Sequence, residues 1–246
     1  MSSSLVGSEM CIRDRINCVD TASKEIMQIY NSDNFETSDK ADGSPLTLAD
    51  KASNQIITEG LKKITPDIAV ISEETFEDTI LKALPNLYWL VDPLDGTREF
   101  INKNDEFTVN IALIEDRKPV FGIVAAPVFE KCWHGSIFDN YHSDKSIPDV
   151  LRIVMSKSHK SDNDKSFLNY LNEKGVNYKI IEKGSSLKLC AIADNEADIY
   201  PRFGPTSEWD IAAAHSVLSA YGGCVLKVDD FSDPVSYTHL RAHETR

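Results

Sequence analysis

The stretch Trp89-Leu90-Val91-Asp92-Pro93-Leu94-Asp95-Gly96-Thr97 decides the reading of this chain. It sets two carboxylates three residues apart directly after an apolar run, with Gly-Thr opening the next segment. Leu87 to Val91 predicts a buried strand that delivers Asp92 at its C-terminal end. Pro93 fixes φ and has no N–H to donate, so the turn is rigid. Asp95-Gly96 is a tight-turn pair in which glycine is free to take positive φ. Gly96 and Thr97 then open a helix whose unpaired N–H groups suit a phosphate. Such a turn can aim both carboxylates into one pocket, as divalent metal beside a phosphate requires. The plainer reading is an Asp-Gly turn with Asp95 as a cap. It covers Asp-x-x-Asp-Gly alone and covers the nine-residue run less well.

Two other acidic positions extend the pattern. Ala69 to Ser72 predicts a short strand ending in Glu73-Glu74. Hard cations want several oxygen ligands, and two-metal sites need bridging carboxylates; the alternative is a solvated acidic loop running on through Glu77 and Asp78. Asp210 lies in Glu208-Trp209-Asp210-Ile211-Ala212-Ala213-Ala214-His215, at the start of a helix predicted over Glu208 to Tyr221 and ended by Gly222-Gly223. The plain role there is to cap the helix or meet its dipole. The small Ala212 to Ala214 run would also let the helix pack close to a site, which keeps a ligand role open. His134, His142, His159 and His215 show no paired ligand spacing and read as structural or surface residues.

Composition bounds the function. The chain has 246 residues, 41% hydrophobic and 26% charged, enough for a sizeable core. Its net charge of −13, from 39 acidic against 26 basic residues, argues against a nucleic-acid polymer as partner. A small anionic ligand remains open, because bound metal reverses the local sign. The five cysteines form no CxxC pair and are odd in number, so they read as free thiols in a reducing compartment. No apolar run approaches the ~18 residues of a membrane span, and Met1 to Arg15 lacks the apolar core of a signal peptide.

The remaining pattern predicts mixed helices and strands without repeats, a layered α/β (α+β) fold. Helices are expected over Ile16 to Tyr30, Leu48 to Ile64, Asp162 to Lys174 (closed by Gly175) and Ser186 to Asp194. Further strands are expected over Phe107 to Glu115, Pro119 to Pro127, Leu151 to Met155, Tyr178 to Glu182, Ala197 to Tyr200 and Val225 to Val228, with Lys118-Pro119 marking the turn between the first two. Asn31 to Ser44 reads as a loop or hairpin. The expected organisation is a half over 16–140 carrying the metal site and a half over 141–234 completing it, with a boundary in Asn140 to Pro148. Residues 1–15 and 235–246 lack periodicity and read as non-native scars, so the natural sequence is expected to begin near Ile16 and to continue beyond this C-terminus.

Taken together, Ser72-Glu73-Glu74, Asp92-Pro-Leu-Asp-Gly-Thr97 and Trp209-Asp210-Ile-Ala-Ala-Ala214 resemble the inositol monophosphatase superfamily of magnesium-dependent, lithium-sensitive phosphatases. Ser44-Pro-Leu-Thr-Leu-Ala-Asp50, Phe107-Thr-Val-Asn-Ile-Ala112, Gly184-Ser-Ser-Leu-Lys-Leu-Cys190 and Tyr200-Pro-Arg-Phe-Gly-Pro-Thr206 are similar to its bacterial branch of CysQ-type 3′(2′),5′-bisphosphate nucleotidases. The likeness runs from about Ile16 to Pro234.

This resemblance implies an αβαβα sandwich, cut short at its C-terminus with an exposed sheet edge. It implies two or three Mg²⁺ ions held by Glu73, Asp92, Asp95, Asp210 and the Leu94 carbonyl, with Asp92 bridging. Gly96 and Thr97 would contact the scissile phosphate, and Asp50 with Thr97, alongside Glu73, would prepare the attacking water. Substrate contacts would come from Glu73, Leu94, Asp95, Gly96, Thr97 and Asp210, with the segment Gly184 to Lys188, Ser185 and Lys188 included, and Arg202 near the nucleotide. The implied reaction takes the 3′-phosphate from adenosine 3′,5′-bisphosphate, giving AMP and phosphate, a step that removes a by-product of sulfate assimilation. Inositol monophosphatase or sugar bisphosphatase activity is the alternative on the same fold, and a catalytically silent nucleotide-binding protein is the alternative of another class. The partner would be a small nucleoside bisphosphate, the protein a monomer or homodimer, cytoplasmic or peripheral at the inner membrane.

Overall fold

The structure, a computed structural model, describes residues 9–32, 36–40, 44–76, 84–141, 148–157 and 161–227. In chain order these form α1 (Glu9–Tyr30), β1 (Ser38–Asp39), β2 (Pro45–Leu46), α2 (Leu48–Ile64), β3 (Ala69–Ser72), β4 (Leu87–Asp95), α3 (Thr97–Ile101), β5 (Thr108–Glu115), β6 (Lys118–Ala126) and β7 (Lys131–Ser136). They continue as β8 (Leu151–Met155), α4 (Asp162–Glu173), β9 (Tyr178–Glu182), α5 (Leu187–Ala193) and α6 (Glu208–Ala220). Strands β3-β4-β5-β6-β7 make one sheet in that order, and β8-β9 a second. In the larger sheet β3 lies parallel to β4 and the other neighbours pair antiparallel.

Strand periodicity of two sorts side chains to the faces of the larger sheet. Trp89 and Val91 of β4 join Val19, Ile26, Ile57 and Leu61 of α1 and α2 in one core. Tyr88 and Leu90, of opposite parity, join Trp209, Ala213 and Val217 of α6 in the other. Asp92 carries the parity of Tyr88 and Leu90, so it meets the sheet end on the α6 side. The second sheet is sandwiched in turn: Ile153 and Met155 pack with Leu171 of α4, and Val154 with Ala191 of α5. The layers therefore read helix, sheet, helix, sheet, helix, the αβαβα sandwich expected.

Close approach of α6 to the larger sheet needs bare backbone beneath it. A Cβ on Gly122 of β6 would stand 2.2 Å from the Ala213 carbonyl oxygen. Glycine facing a run of alanines thus lets α6 lie directly on the strands and brings Asp210, in its first turn, to the sheet end.

Several expectations are corrected. Helix α1 begins at Glu9 rather than Ile16; Ile12 packs on the core, and the buried Arg15 sets its guanidinium 4.9 Å from the Trp89 ring centroid. The turn between β5 and β6 is Asp116-Arg117, both at positive φ, not Lys118-Pro119, which opens β6. This is the twist a two-residue hairpin favours. Ala197 to Tyr200 forms only an isolated bridge, Ile199 to Ile153, beside the two-stranded sheet. Residues 225–227 carry no strand; Val228 lies outside the described residues. Strand β7 adds to the expected elements, because Lys131-Cys132-Trp133-His134-Gly135-Ser136 does not alternate cleanly. Asn31 to Ser44 contributes the small β1-β2 hairpin. Most of the expected boundary loop (142–147), His142, His159, Glu77, Asp78 and most of the two patternless ends (1–8 and 228–246) lie outside the described residues.

Candidate active site

The site forms where β3, β4, α2 and α6 end together. Its centre is the β4 turn. Asp92 is 1% exposed, and its Oδ1 accepts a hydrogen bond from the Leu94 N–H at 3.1 Å. The Pro93 carbonyl is held by Ser53 Oγ of α2 at 2.8 Å. Gly96 takes φ 90 as the turn chemistry requires and starts the one-turn helix α3. Asp92, Asp95 and Asp210 each offer a carboxylate oxygen, all within 4.8 Å of one another.

Asp210 reaches this trio while also capping its own helix. Its Oδ2 accepts from the Ser207 N–H at 3.0 Å and from Thr206 Oγ1 at 2.9 Å, closing a capping box. The same side chain thus caps its helix and stays within reach of Asp92 and Asp95. Asp95 Oδ2 accepts from Ser185 Oγ at 2.6 Å.

Glu73 stands outside the tight trio. Its side chain is within hydrogen-bonding reach of Asp92, while Lys40 Nζ, in the β1-β2 hairpin, lies 2.8 Å from Glu73 Oε1 and 2.6 Å from Glu74 Oε1. Burial pulls the Lys40 pKa down, but the two glutamates more than offset this and hold it raised. Glu74, largely through burial, is pushed up to about 7.

A second group sits on the α2 side. Asp50 is fully buried; its Oδ2 accepts from the Thr47 N–H at 2.7 Å and Thr47 Oγ1 at 2.6 Å. Its other oxygen receives Thr97 Oγ1 at 3.1 Å. The Thr97 hydroxyl is also 3.2 Å from the Leu94 carbonyl, so Asp50, Thr97 and Leu94 meet at one point. Burial raises the Asp50 pKa despite these donors.

Electrostatics test whether a cation fits. Burial first, then Glu73, Asp95 and Asp210, push Asp92 well above the ordinary carboxyl range. Burial, Asp95 and Glu73 carry Asp210 up to about 7. Carboxylates packed this closely cannot all ionise without a compensating charge. Among the described residues no salt bridge reaches Asp92, Asp95 or Asp210, and Lys40 is engaged with the glutamates. An all-oxygen donor set of this kind suits a hard divalent cation.

The expected nucleotide residues divide. Lys188 is buried, its Nζ donates to the Ser185 carbonyl at 2.7 Å and stands 5.5 Å from the Tyr200 ring centroid. Burial lowers its pKa. Arg202 is exposed and turns to the carbonyls of Gly204 at 3.2 Å and Pro205 at 2.6 Å. Residues to which the sequence reading gave no role include Lys40, Thr47, Ser53, Thr108 and Asn110. Thr108 and Asn110 carried a signal, being polar at alternate positions of an apolar strand; Lys40, 33 residues from its partner, carried none.

The profile of the Inositol monophosphatase family matches residues 11–245. The chain belongs to the inositol monophosphatase family. Within it, the chain is 42% identical over 213 residues to the 3′(2′),5′-bisphosphate nucleotidase CysQ of Salmonella typhimurium, covering 83% of this chain and 85% of that one. It is 40% identical over 226 residues to the Escherichia coli K12 protein of the same name, covering 88% and 89%. Among solved structures, CysQ from Bacteroides thetaiotaomicron, a bacterial member of the family, aligns with a TM-score of 0.71 at 33% identity over 83% of this chain and 84% of that one. An inositol monophosphatase of Staphylococcus aureus shares the fold, with a TM-score of 0.74 at 17% identity over 96% and 90% of the two chains. No helix among the described residues is long and apolar enough to cross a membrane.

Proposed function

We propose that this protein is a Mg²⁺-dependent phosphatase that removes the 3′-phosphate of adenosine 3′,5′-bisphosphate, releasing AMP and phosphate. The observation that carries the reading is the clustered Asp92, Asp95 and Asp210 trio, with Asp92 buried, beside the Asp50–Thr97 pair. Asp92, Asp95, Asp210, the Leu94 carbonyl and Glu73 would hold two or three cations. When bound, the cations make water nucleophilic near neutral pH and offset charge on the transferring phosphate and leaving oxygen. Asp50 accepts a hydrogen bond from Thr97 Oγ1, which leaves the threonine oxygen's lone pairs free to accept one from water; as a water proton moves to Thr97 Oγ1, the threonine's own proton would pass to Asp50. Gly96 and Thr97 offer N–H groups at the start of α3 to phosphate oxygens. No covalent intermediate on the protein is required, and the work of the site is positioning and charge stabilisation.

The choice of a nucleoside bisphosphate is supported by what the 40–42% identical relatives are named for. Ser185, Lys188 and Arg202 are assigned to the nucleotide's remaining parts. The four free cysteines among the described residues agree with a reducing, cytoplasmic setting, where such an enzyme would clear a by-product of sulfate assimilation.

The test is phosphate release from adenosine 3′,5′-bisphosphate, inositol monophosphate and fructose 1,6-bisphosphate, each with Mg²⁺, without it, and with Li⁺ added. The expected result is Mg²⁺-dependent, Li⁺-sensitive release that is fastest from the nucleotide. Faster release from inositol phosphate would overturn the substrate, and tight nucleotide binding without turnover would overturn the activity.

A further inference from the structure

We propose that Glu106 is a positioning residue for Asp95, acting through the Gly184–Ser186 turn; the inference rests on the metal-site reading above. Glu106 precedes β5 and its side chain is 13% exposed. Its Oε2 accepts from the Gly184 N–H at 3.0 Å, and its Oε1 stands 2.9 Å from Lys157 Nζ. Gly184 follows β9 and Lys157 follows β8, so one carboxylate from the larger sheet ties down the ends of both strands of the smaller sheet. The fit is tight: a Cβ on Gly184 would come within 3.1 Å of the Glu106 Cβ.

What Glu106 holds is the turn that orients Asp95. Ser185 has φ 48, a conformation that a residue with a side chain keeps only where its surroundings impose it. In that conformation Ser185 Oγ reaches Asp95 Oδ2 at 2.6 Å and Thr108 Oγ1 at 2.7 Å. Ser186 Oγ accepts from Asn110 Nδ2 at 2.9 Å and stands 3.1 Å from Asp95 Oδ2 and 2.7 Å from the Asp210 carbonyl. The two serines thus fix the Asp95 rotamer and join it to the backbone of α6. Without Glu106 the Gly184 N–H loses its acceptor, and the strained serine loses the anchor beside it. Hydrogen-bond partners of a metal ligand commonly change metal affinity about 10- to 100-fold when removed. Glu106 does not touch the trio, so its effect passes through the turn.

The test is calorimetric titration of Mg²⁺ and Mn²⁺ into the full chain, with thermal melts of the same samples. Glu106→Ala is expected to weaken the cation dissociation constant about tenfold. Glu106→Gln keeps an oxygen acceptor for Gly184 and is expected to stay within about twofold of the parent, as is Lys157→Ala, which removes only a half-exposed ion pair. Combining Glu106→Ala with Ser185→Ala is expected to add little beyond either change alone, because both act on one path. If Glu106→Ala does not fold, Glu106→Asp carries the test: the charge is kept but the side chain is a methylene short, and weakened binding is again expected. A lower melting temperature with unchanged cation affinity would overturn the proposal and leave Glu106 a stabilising residue. Glu106→Gln binding as poorly as Glu106→Ala would also overturn it. Absence of cation binding by the unsubstituted protein would sink the metal-site reading itself, and that arm is read before any variant.

Discussion

Two turns meet at Asp95, and they are built in opposite ways. The Asp92–Thr97 turn carries bonds of its own: the Leu94 N–H bonds Asp92, Thr97 bonds the Leu94 carbonyl, and Gly96 supplies the positive φ, while Ser53 and Asp50 of α2 add support from outside. The Gly184–Ser186 turn is held almost wholly from outside. Ser185 bonds Thr108 and Asp95 at separations of 77 and 90 residues, and Gly184 bonds Glu106 at 78. A turn whose partners lie within three residues is written in consecutive letters. A turn whose partners lie elsewhere exists only once the sheets are stacked. The first supplies two of the clustered carboxylates, and the second orients one of them.

The strongest break in this comparison comes at their meeting point. Asp95→Asn removes a charged ligand while keeping the turn's shape, and phosphate release should fall by more than about 100-fold. Unchanged turnover would detach the activity from both turns.

Protonation offers the next test. Asp92 and Asp210 are held above ordinary carboxyl values, Asp210 at about 7. A raised carboxyl keeps its proton in the folded chain over a range where the unfolded chain has released it. Its stabilising contribution is complete below about pH 4 and is lost as pH rises through about 7. Among pH effects, this one should lower the metal-free melting temperature between about pH 5 and 8, and Mg²⁺ should restore more of it at the upper end. A metal-free profile that is flat or rises over that window would mean that the turns do not crowd these carboxylates together.

Backbone substitutions separate the turns directly. Gly96→Ala forces a side chain into φ 90 and brings its Cβ to 3.2 Å from the Glu106 carbonyl oxygen. The expected loss is about 1–2 kcal/mol, read in denaturant titration. Gly184→Ala meets only close contact with Glu106, at 3.1–3.2 Å, without a positive φ. Its loss should be smaller, below about 1 kcal/mol. If Gly184→Ala proved the worse of the two, the externally held turn would be the more strained, reversing the comparison.

Legibility follows the same division. Helix α2 and strands β3, β8 and β9 run over the residues expected from apolar periodicity. Asp92, Asp95 and Asp210 come together as their motifs implied. The misses have physical causes. Lys131–Ser136 pairs as β7 because β6 offers it an edge, not because of its own pattern. Ala197 to Tyr200 stays a bridge, making only one pairing, at Ile153. Lys40 bridges Glu73 and Glu74 from a hairpin 33 residues earlier, and nothing near either glutamate in the chain announces it.

By itself the sequence determined the parts. Proline and glycine in Asp92–Thr97 fix a turn whatever surrounds it, since φ restriction and positive φ are properties of single residues. Glycine at 122 opposite alanines at 212–214 permits close packing of α6, although the letters alone do not say that these positions face each other. Only the tertiary structure decided the charge state and the aim of the site. Burial of Asp92 and its distance from Asp95 and Asp210 depend on three strand and helix ends arriving together. The serines that hold Asp95 come from the segment between β9 and α5, 90 and 91 residues along the chain. Electrostatic crowding and hydrogen-bond geometry are functions of distance in space, which chain separation does not encode.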